Sequence, residues 1–214
     1  MKEYLVEFTG TFFLVLGAAM YGAVGAALCL MVMIYAGAHI SGAHFNPAVT
    51  LAMMIRGKAT INSAIPYWAS QFAGGIAAAV IACYLFGREG TGDCVIADDG
   101  IIKALAAEII ATFALVYVVL NVATTKGTKG NSFYGIAIAG TVLAMALTIG
   151  SFSGGAFNPA VGVALAVQKT FCWQQIWIYF VGPLAGGALA AILFNYINED
   201  DKPTPPIPDA GKER

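Results

Sequence analysis

Two copies of the tripeptide Asn-Pro-Ala are the part of this sequence whose residue types and spacing most clearly suggest a chemical function. The residues are Asn46, Pro47 and Ala48 in the first copy and Asn158, Pro159 and Ala160 in the second. Asparagine is a favoured N-cap, and proline is tolerated at the first helical position because its missing N–H would have no partner there. Each tripeptide therefore predicts the start of a helix. A cap asparagine accepts a backbone N–H with its side-chain oxygen, which leaves its NH₂ group free to donate hydrogen bonds to a solute.

The composition of the chain indicates what kind of protein must position these asparagines. Of its 214 residues, 59% are apolar and 11% are charged; the mean hydropathy is +0.76 and the formal net charge is −1. Soluble domains are about a quarter charged. These values exclude a soluble enzyme, a secreted disulfide scaffold and a nucleic-acid-binding protein, and they indicate an all-α integral membrane protein. The polar segments hold no catalytic Ser/His/Asp set, phosphate loop or metal cluster, so we expect neither an enzyme nor a cofactor.

Six apolar runs are long enough to cross a hydrocarbon core about 30 Å thick as helices. They cover residues 4–20, 23–38, 61–86, 103–123, 133–150 and 173–197. With six spans both termini lie on one side. Placing that side in the cytoplasm leaves only Arg88, Lys103 and Lys169 outside, in keeping with the positive-inside tendency. We therefore predict a multi-pass protein of a plasma membrane or bacterial inner membrane with cytoplasmic termini. The segment 199–214, rich in proline and charge, is predicted to be a disordered cytoplasmic tail.

The sequence also repeats itself. FNPAV and the AGG of AGGIAA recur 112 residues apart, and Glu7 in EFTGTF returns as Glu108 in EIIATF. Each repeat contains three spans, so the second begins on the opposite face of the membrane and the two repeats are inverted. The repeats are placed at residues 1–100, with a half-helix at 46–55, and at residues 101–198, with a half-helix at 158–167. Inverted repeats of this kind typically form a functional site near the midplane, between the halves.

The apolar stretches that follow the two tripeptides are too short to cross a membrane. Half-helices that enter from opposite faces would meet with their N-termini at the midplane, where each directs about +0.5 of an elementary charge at the centre. This charge opposes cations and hydronium. The paired asparagine NH₂ groups can hold the oxygen of water or of a hydroxyl group and orient its hydrogens away from the centre. The pattern therefore predicts a pore that excludes cations.

Two glutamates and a histidine accompany this pattern. Glu7 and Glu108 lie inside apolar spans, where a carboxylate is costly without a partner. No intramembrane lysine or arginine is available, so backbone N–H groups or a proton must serve as the partner. Because Glu7 lies near a helix end, an alternative is that its side chain extends to the membrane interface. His39 opens the segment before the first tripeptide. A hydrogen-bonded packing role is the simpler interpretation of His39 and of His44 in the same segment, and a pore-facing, pH-sensitive role of His39 is the more specific hypothesis.

The segment HISGAHFNPAVT at 39–50, with the second FNPAV, resembles the aquaporin, or major intrinsic protein, channels, and the resemblance covers residues 3–197. It implies six tilted helices and two half-helices around one pore per subunit, usually in a homotetramer. Asn46 and Asn158 match the central pair of the family. Glu7 and Glu108 match its buried glutamates, which brace the re-entrant loops from behind without facing the solute.

The sequence departs from the family at the outer constriction of the pore. Most aquaporins carry arginine directly after the second Asn-Pro-Ala, where this chain has Val161. Counting along the family pattern without gaps places the other three constriction positions at Ala26, Ala146 and Gly155. In water-selective members these three hold an aromatic ring, a histidine and a small residue. Small or aliphatic residues at all four positions remove volume and hydrogen-bond donors, so we expect a wide, poorly water-selective filter.

The predicted function is a passive channel for small uncharged solutes: glycerol, urea, ammonia or neutral metalloid acids such as arsenite, with some water. The main alternative is a water channel in which another residue, such as Met31, Met33, Phe45 or Phe157, narrows the pore. A coupled secondary transporter would need titratable groups at the midplane, and the spans offer none besides the two glutamates. A non-conducting structural protein would have no need of paired asparagines. The expected partners are these solutes, membrane lipid and further copies of the chain, without nucleic acid.

The four cysteines show no CxxC motif and no spacing typical of a metal site. Cys29 and Cys83 lie inside apolar runs, and Cys94 and Cys172 flank others. The spacing alone suggests no disulfide framework, so the sequence predicts packed free thiols at all four positions.

Overall fold

Seven α-helices, joined by loops and 3₁₀ turns, make up the part of the chain that the computed structural model describes, namely residues 1–94 and 96–201 without the side chains of residues 98 and 200. The helices are α1 (Lys2–Ser41), α2 (Pro47–Ile55), α3 (Ile61–Phe86), α4 (Ile101–Thr124), α5 (Tyr134–Ile149), α6 (Pro159–Val167) and α7 (Ile178–Ile197). No β-strand occurs among these residues. With the adjoining 3₁₀ turns of α5 and α7, five helices are long and apolar enough to cross a membrane. The helices α2 and α6 have only nine residues each.

Helix α1 folds back on itself at Tyr21 and Gly22, whose backbone dihedrals are not helical. Gly22 has a φ of 58°, a left-handed value that glycine adopts without strain. A Cβ atom on Gly17 would lie 2.4 Å from the carbonyl oxygen of Gly25, although residues eight apart in a straight helix are separated by about 12 Å. The two arms of α1, residues 2–20 and 23–41, therefore run antiparallel and cross the membrane separately. The predicted architecture of six spans and two half-helices is confirmed. The two arms of α1 are connected by only two non-helical residues, Tyr21 and Gly22.

Glycines allow matching pairs of helices to approach closely. A Cβ on Gly74 of α3 would lie 2.2 Å from the carbonyl oxygen of Phe8 in α1. A Cβ on Gly186 of α7 would lie 2.3 Å from the carbonyl oxygen of Ile109 in α4. Small residues let helix backbones pack in this way in membranes. Because the same contact occurs once in each half of the chain, α1 with α3 and α4 with α7 form equivalent scaffolds, as an inverted repeat requires.

The half-helices pack across from one half of the chain to the other. A Cβ on Gly75 of α3 would lie 3.1 Å from the carbonyl oxygen of Ala160 in α6. A Cβ on Gly187 of α7 would lie 2.9 Å from the carbonyl oxygen of Ala48 in α2. Each half-helix therefore begins against a helix that belongs to the other repeat. This crossed packing brings the two Asn-Pro-Ala tripeptides together in the middle of the bundle.

The prediction of four free thiols is wrong for two of the cysteines. Cys94 and Cys172 form a disulfide with a Cα–Cα distance of 4.9 Å, while Cys29 and Cys83 are free. The bond ties the loop after α3 to the loop after α6. The sequence did not indicate it because 78 residues separate the partners, and only the folding of one loop onto the other brings them together.

Backbone contacts fasten the same two loops. Gly90 N–H donates to the carbonyl oxygen of Gln168 at 2.9 Å, and Gly92 N–H donates to that of Lys169 at 2.8 Å. The Lys169 ammonium lies 2.6 Å from a carboxylate oxygen of Glu89. This hydrogen bond and the negative charge of Glu89 raise the pKa of Lys169. The loop after α3 is therefore fixed to the C-terminal end of α6.

The start of the predicted disordered tail is ordered. Residues Glu199–Asp201 form a 3₁₀ turn against the bundle. Nη2 of Arg56 donates to the backbone carbonyl of Asp201 at 2.6 Å, and the backbone N–H of Lys126 donates to the Asp201 carboxylate at 3.1 Å. The prediction of a disordered tail is therefore wrong for residues 199–201, which these contacts hold against the bundle. The remainder of the predicted tail, residues 202–214, lies outside the described residues.

Candidate pore

A cavity of about 200 Å³ runs through the bundle between the two half-helices. From the turn at Gly22, along the second arm of α1, to the cap at Gly42, the lining includes every fourth residue: Gly22, Ala26, Leu30, Ile34, Ala38 and Gly42. Along α5 the lining has the same period and consists of Tyr134, Ile138, Val142, Ala146 and Gly150. The twenty residue steps from Gly22 to Gly42 correspond to about 30 Å of helix, the thickness of a hydrocarbon core. The cavity therefore follows the full depth of the predicted membrane region.

Of the predicted pore and filter residues, Asn46, Asn158, Ala26, Ala146, Gly155 and Val161 line this cavity. Of the four candidates to narrow the pore, Phe45 and Phe157 also line it, whereas Met31 and Met33 do not. Pro47, Ala48, Pro159 and Ala160 lie directly behind the asparagines, buried in the first turns of α2 and α6. The structure thus brings together residues from both halves of the chain that are more than 100 positions apart.

Each asparagine caps its own half-helix, as the sequence predicts. Oδ1 of Asn46 accepts the N–H of Ala48 at 2.9 Å, and Oδ1 of Asn158 accepts the N–H of Ala160 at 2.9 Å. Both caps have extended backbone, and proline follows directly. The N-termini of α2 and α6 therefore face each other across the cavity, and their partial positive charges converge there.

The asparagine NH₂ groups are only half free, which corrects the expectation that they are wholly available. Nδ2 of Asn46 donates to the carbonyl oxygen of Phe157 at 2.9 Å, and Nδ2 of Asn158 donates to that of Phe45 at 2.9 Å. An NH₂ group has two hydrogens, so one N–H of each asparagine remains for a solute. The crossed bonds fix the direction of both amides, because each amide is held at its oxygen and at one hydrogen.

Phe45 and Phe157 hold a strained backbone beside the asparagines. Their φ values are 49° and 51°, in the left-handed region that bulky residues rarely adopt. The N–H of Phe45 donates to Oε2 of Glu7 at 2.7 Å, and the N–H of Phe157 donates to Oε2 of Glu108 at 2.7 Å. Each carboxylate therefore holds in place the residue whose carbonyl accepts the opposite asparagine.

The Glu7 carboxylate has four donors in all. Its Oε1 atom accepts hydrogen bonds from the hydroxyl of Ser41 at 2.7 Å and from the N–H of His44 at 2.9 Å. Its Oε2 atom accepts one from Nε2 of Gln71 at 2.7 Å, in addition to the bond from Phe45. The side chain is fully buried and does not line the cavity. Snorkelling of Glu7 to the interface is thereby excluded, since the carboxylate is used entirely within the protein.

The Glu108 carboxylate has three donors in the same arrangement. Its Oε1 accepts the hydroxyl of Ser153 at 2.6 Å and the N–H of Ala156 at 3.0 Å, in addition to the bond from Phe157 to Oε2. Tyr179 donates its hydroxyl to the carbonyl of Ser153. These are the contacts that a loop-bracing role requires, and Glu108 is also fully buried and absent from the cavity lining.

The four predicted filter positions present only aliphatic groups or backbone to the cavity. Val161 is the third residue of α6, and Ala26 lies in the second arm of α1. Gly155 packs near Gly150, where a Cβ would lie 3.4 Å from the Gly150 Cα. A Cβ on Gly150 would in turn lie 3.7 Å from the Cβ of Ala146. These positions thus form a surface without a ring, an imidazole or a guanidinium.

The structure does not support a pore-facing His39. His39 is exposed and does not line the cavity, whereas Ala38 does. Successive residues of a helix point about 100° apart, so the residue after a lining residue faces away. The histidine that lines the cavity is His44, whose Nδ1 is 3.0 Å from Oγ1 of Thr50 and whose ring packs near Tyr67.

Tyr134 is a lining residue that the sequence reasoning missed. The signal was available: residues 134, 138, 142, 146 and 150 form a stripe of period four that includes the predicted filter residue Ala146. A tyrosine at the first position of that stripe predicts a ring at one end of the cavity.

Comparisons with known proteins agree with this geometry. The sequence profile described as Major intrinsic protein matches residues 1–194. A probable aquaporin TIP2-2 of Oryza sativa subsp. japonica is 36% identical over 219 residues, covering 92% of this chain and 87% of the relative. Aquaporin NIP1-3 of the same organism is 35% identical over 222 residues, covering 94% and 76%.

A solved structure has the same fold. The X-ray structure of the aquaglyceroporin from Plasmodium falciparum superposes with a TM-score of 0.75 at 20% identity, covering 94% of this chain and 98% of the other. Together with the two capped half-helices that meet in a membrane-deep cavity, these matches establish that the chain belongs to the major intrinsic protein family of multi-pass membrane channels for water and small solutes, which are not enzymes.

Proposed function

We propose that this chain is a passive channel with a wide aliphatic filter, formed by Ala26, Ala146, Gly155 and Val161. It passes small uncharged solutes: glycerol, urea, ammonia or neutral metalloid acids such as arsenite, with some water. The observation that carries this proposal is that all four positions line one cavity and offer neither bulk nor a cationic donor. Pore width and lining donors decide channel selectivity. The small side chains at these four positions widen the pore and leave it few donors, and both changes favour solutes larger than water.

In this mechanism Asn46 and Asn158 orient the solute. Each has one N–H left after the crossed bond to a phenylalanine carbonyl, so two donors face a passing oxygen atom at the middle of the pore. The converging N-termini of α2 and α6 repel cations there. The absence of arginine after the second tripeptide removes one positive charge, but the opposed helix ends remain, so ion current stays negligible.

The residues that support the asparagines are Glu7 and Glu108. Their carboxylates accept the N–H groups of Phe45 and Phe157 and thereby brace the two re-entrant loops. Neither carboxylate faces the solute, so the channel needs no titratable group in the pore. Transport therefore follows the solute gradient, without a coupling ion or a cofactor.

The chain is proposed to work as a homotetramer of inverted repeats, 1–100 and 101–198, with cytoplasmic termini in a plasma membrane or bacterial inner membrane. The disulfide supports this orientation, because disulfides persist in oxidising compartments outside the cytosol. Cys94 and Cys172 lie in loops at the end of the bundle where α3 and α6 finish. Arg56 and Lys126 meet Asp201 at the other end, near the C-terminus.

A mainly water-conducting channel is the second candidate. The observation in its favour is that three aromatic residues belong to the cavity lining: Phe45 and Phe157 beside the asparagines, and Tyr134 at one end. Stopped-flow light scattering on liposomes that contain the purified protein separates the two candidates, with water, glycerol, urea and arsenite compared on one preparation. Fast re-swelling with glycerol or urea, relative to empty liposomes, supports the wide filter. Fast water flow with all larger solutes excluded would contradict it.

A further inference from the structure

The two ends of the cavity differ in the size and polarity of their lining. The stripe along α5 runs from Gly150 through Ala146, Val142 and Ile138 to Tyr134. Side-chain size rises at every step of this stripe. Ala146 and Tyr134 are twelve residues apart, or about 18 Å along the helix, so they belong to opposite ends of the cavity. The inner mouth is defined here as the end lined by Ala38, Gly42, His44 and Tyr134.

The Tyr134 ring is held in place by Tyr35 from the second arm of α1. The two rings meet edge to face with centroids 5.2 Å apart. The hydroxyl of Tyr35 donates to the carbonyl of Ser132 at 3.2 Å and accepts the N–H of Ile136 at 3.2 Å. A Cβ on Gly135 would lie 2.7 Å from the Tyr35 ring, so the glycine allows this close approach. The first turn of α5 is therefore fixed against α1 on both sides of Tyr134.

The Tyr134 hydroxyl is available to a solute. Among the residues that the structure describes, none forms a hydrogen bond with this hydroxyl, and Tyr134 is one of the lining residues of the cavity. A phenol both donates and accepts, so it can replace a water of hydration on a hydroxylated or amide solute. His44 contributes the other polar ring of the inner mouth, with its Nδ1 used by Thr50.

We propose that Tyr134 is a specificity-determining residue and that the size selection of this channel occurs at the inner mouth. The inference rests on the proposed function, in which the four aliphatic positions at the other end are too wide to discriminate. A solute that has passed them and the central asparagines then meets a braced ring with a free hydroxyl. Tyr134 then selects solutes both by their size and by their ability to form hydrogen bonds, and its ring favours water over bulkier solutes.

The test compares water, urea and glycerol permeabilities of proteoliposomes that contain equal amounts of wild type, Tyr134→Ala, Tyr134→Phe or Phe133→Ala. Phe133 is the matched control, because its ring is adjacent in sequence, half exposed and absent from the cavity lining. We expect Tyr134→Ala to raise the glycerol-to-water permeability ratio about threefold or more, since the ring is removed. Phe133→Ala leaves this ratio at the wild-type value. Tyr134→Phe keeps the ring, and the ratio therefore changes less than in Tyr134→Ala.

A conducting Tyr134→Ala variant with an unchanged ratio would overturn the inference and leave the proposed function standing. An equal change in Phe133→Ala would also overturn it, because the effect would then come from a loosened helix end. Wild-type liposomes no more permeable than empty ones would overturn the proposed function itself. Should Tyr134→Ala fail to fold, Tyr134→Leu keeps apolar volume at the start of α5, and the same direction of change is expected.

Discussion

Asn46 donates from its Nδ2 atom to the backbone carbonyl of Phe157 at 2.9 Å, although 111 residues separate the two in sequence. Asn158 makes the reciprocal bond to Phe45 at the same distance. Each asparagine thus caps its own half-helix and ties it to the loop of the other half. The pore centre is therefore a single hydrogen-bonded unit, and a change at one asparagine affects both half-helices.

Asn158→Asp is expected to weaken cation exclusion. A carboxylate cannot donate, so the carbonyl of Phe45 loses its partner, at a cost of about 1–3 kcal/mol for a buried acceptor. The added negative charge also offsets the positive helix ends at the pore centre. The measurement is the sodium and proton flux of proteoliposomes, beside thermal denaturation of the purified protein. The control is Asn198→Asp, which adds the same charge at the C-terminal end of α7, outside the cavity. Unchanged ion exclusion in Asn158→Asp would contradict a central role for the amide.

Gly74→Ala is expected to destabilise the protein, because the new Cβ would lie 2.2 Å from the carbonyl oxygen of Phe8. Overpacking of this kind costs about 1–3 kcal/mol or more. The control is Gly140→Ala in α5, where a Cβ would meet nothing within 4 Å. Alanine is the better helix former by up to about 1 kcal/mol, so the control is neutral or slightly stabilising. Thermal denaturation in detergent measures both variants. Equal melting midpoints for Gly74→Ala and Gly140→Ala would mean that α1 and α3 can move apart at little cost in stability.

The architecture could be predicted because its causes are local. Span length, hydropathy and the cap chemistry of Asn-Pro-Ala specify six crossings and two half-helices. The offset of 112 residues between Asn46 and Asn158 reveals the repeat, and the three spans in each repeat then force the inversion. Side-chain orientation was harder to predict. His39 and Ala38 are adjacent in sequence, and only the rotation of the helix about its axis decides that Ala38 reaches the cavity.

Contacts between distant loops could not be predicted at all. The disulfide between Cys94 and Cys172 depends on how the loop after α3 folds over the end of α6, and no local pattern encodes that path. The crossed bonds of Asn46 and Asn158 are a similar case. The cap role of each amide follows from its neighbours, but its second partner belongs to the other half of the chain.

Loss of the disulfide is expected to lower thermal stability. It closes a long loop between Cys94 and Cys172, and removal of such a cross-link typically costs about 2–4 kcal/mol. Cys172→Ser should therefore melt at a lower temperature than wild type and no longer respond to a reducing agent, whereas wild type should respond. Cys83→Ser removes a free thiol and serves as the control. A wild-type midpoint that is insensitive to full reduction would show that the backbone and Glu89–Lys169 contacts alone hold the loop.

Val161→Arg is expected to reduce glycerol and urea permeability more than water permeability. Val161 lines the same cavity as the small residues Ala26, Ala146 and Gly155, so a guanidinium there adds both bulk and donors at a position that now has neither. Val161→Met separates the two effects, because it adds length without charge. If both variants exclude glycerol to the same degree, width alone controls the filter; a larger effect of arginine assigns part of the selection to its donors. Equal losses of water and glycerol permeability in both variants would contradict the proposal that the small side chain of Val161 is what keeps the filter wide.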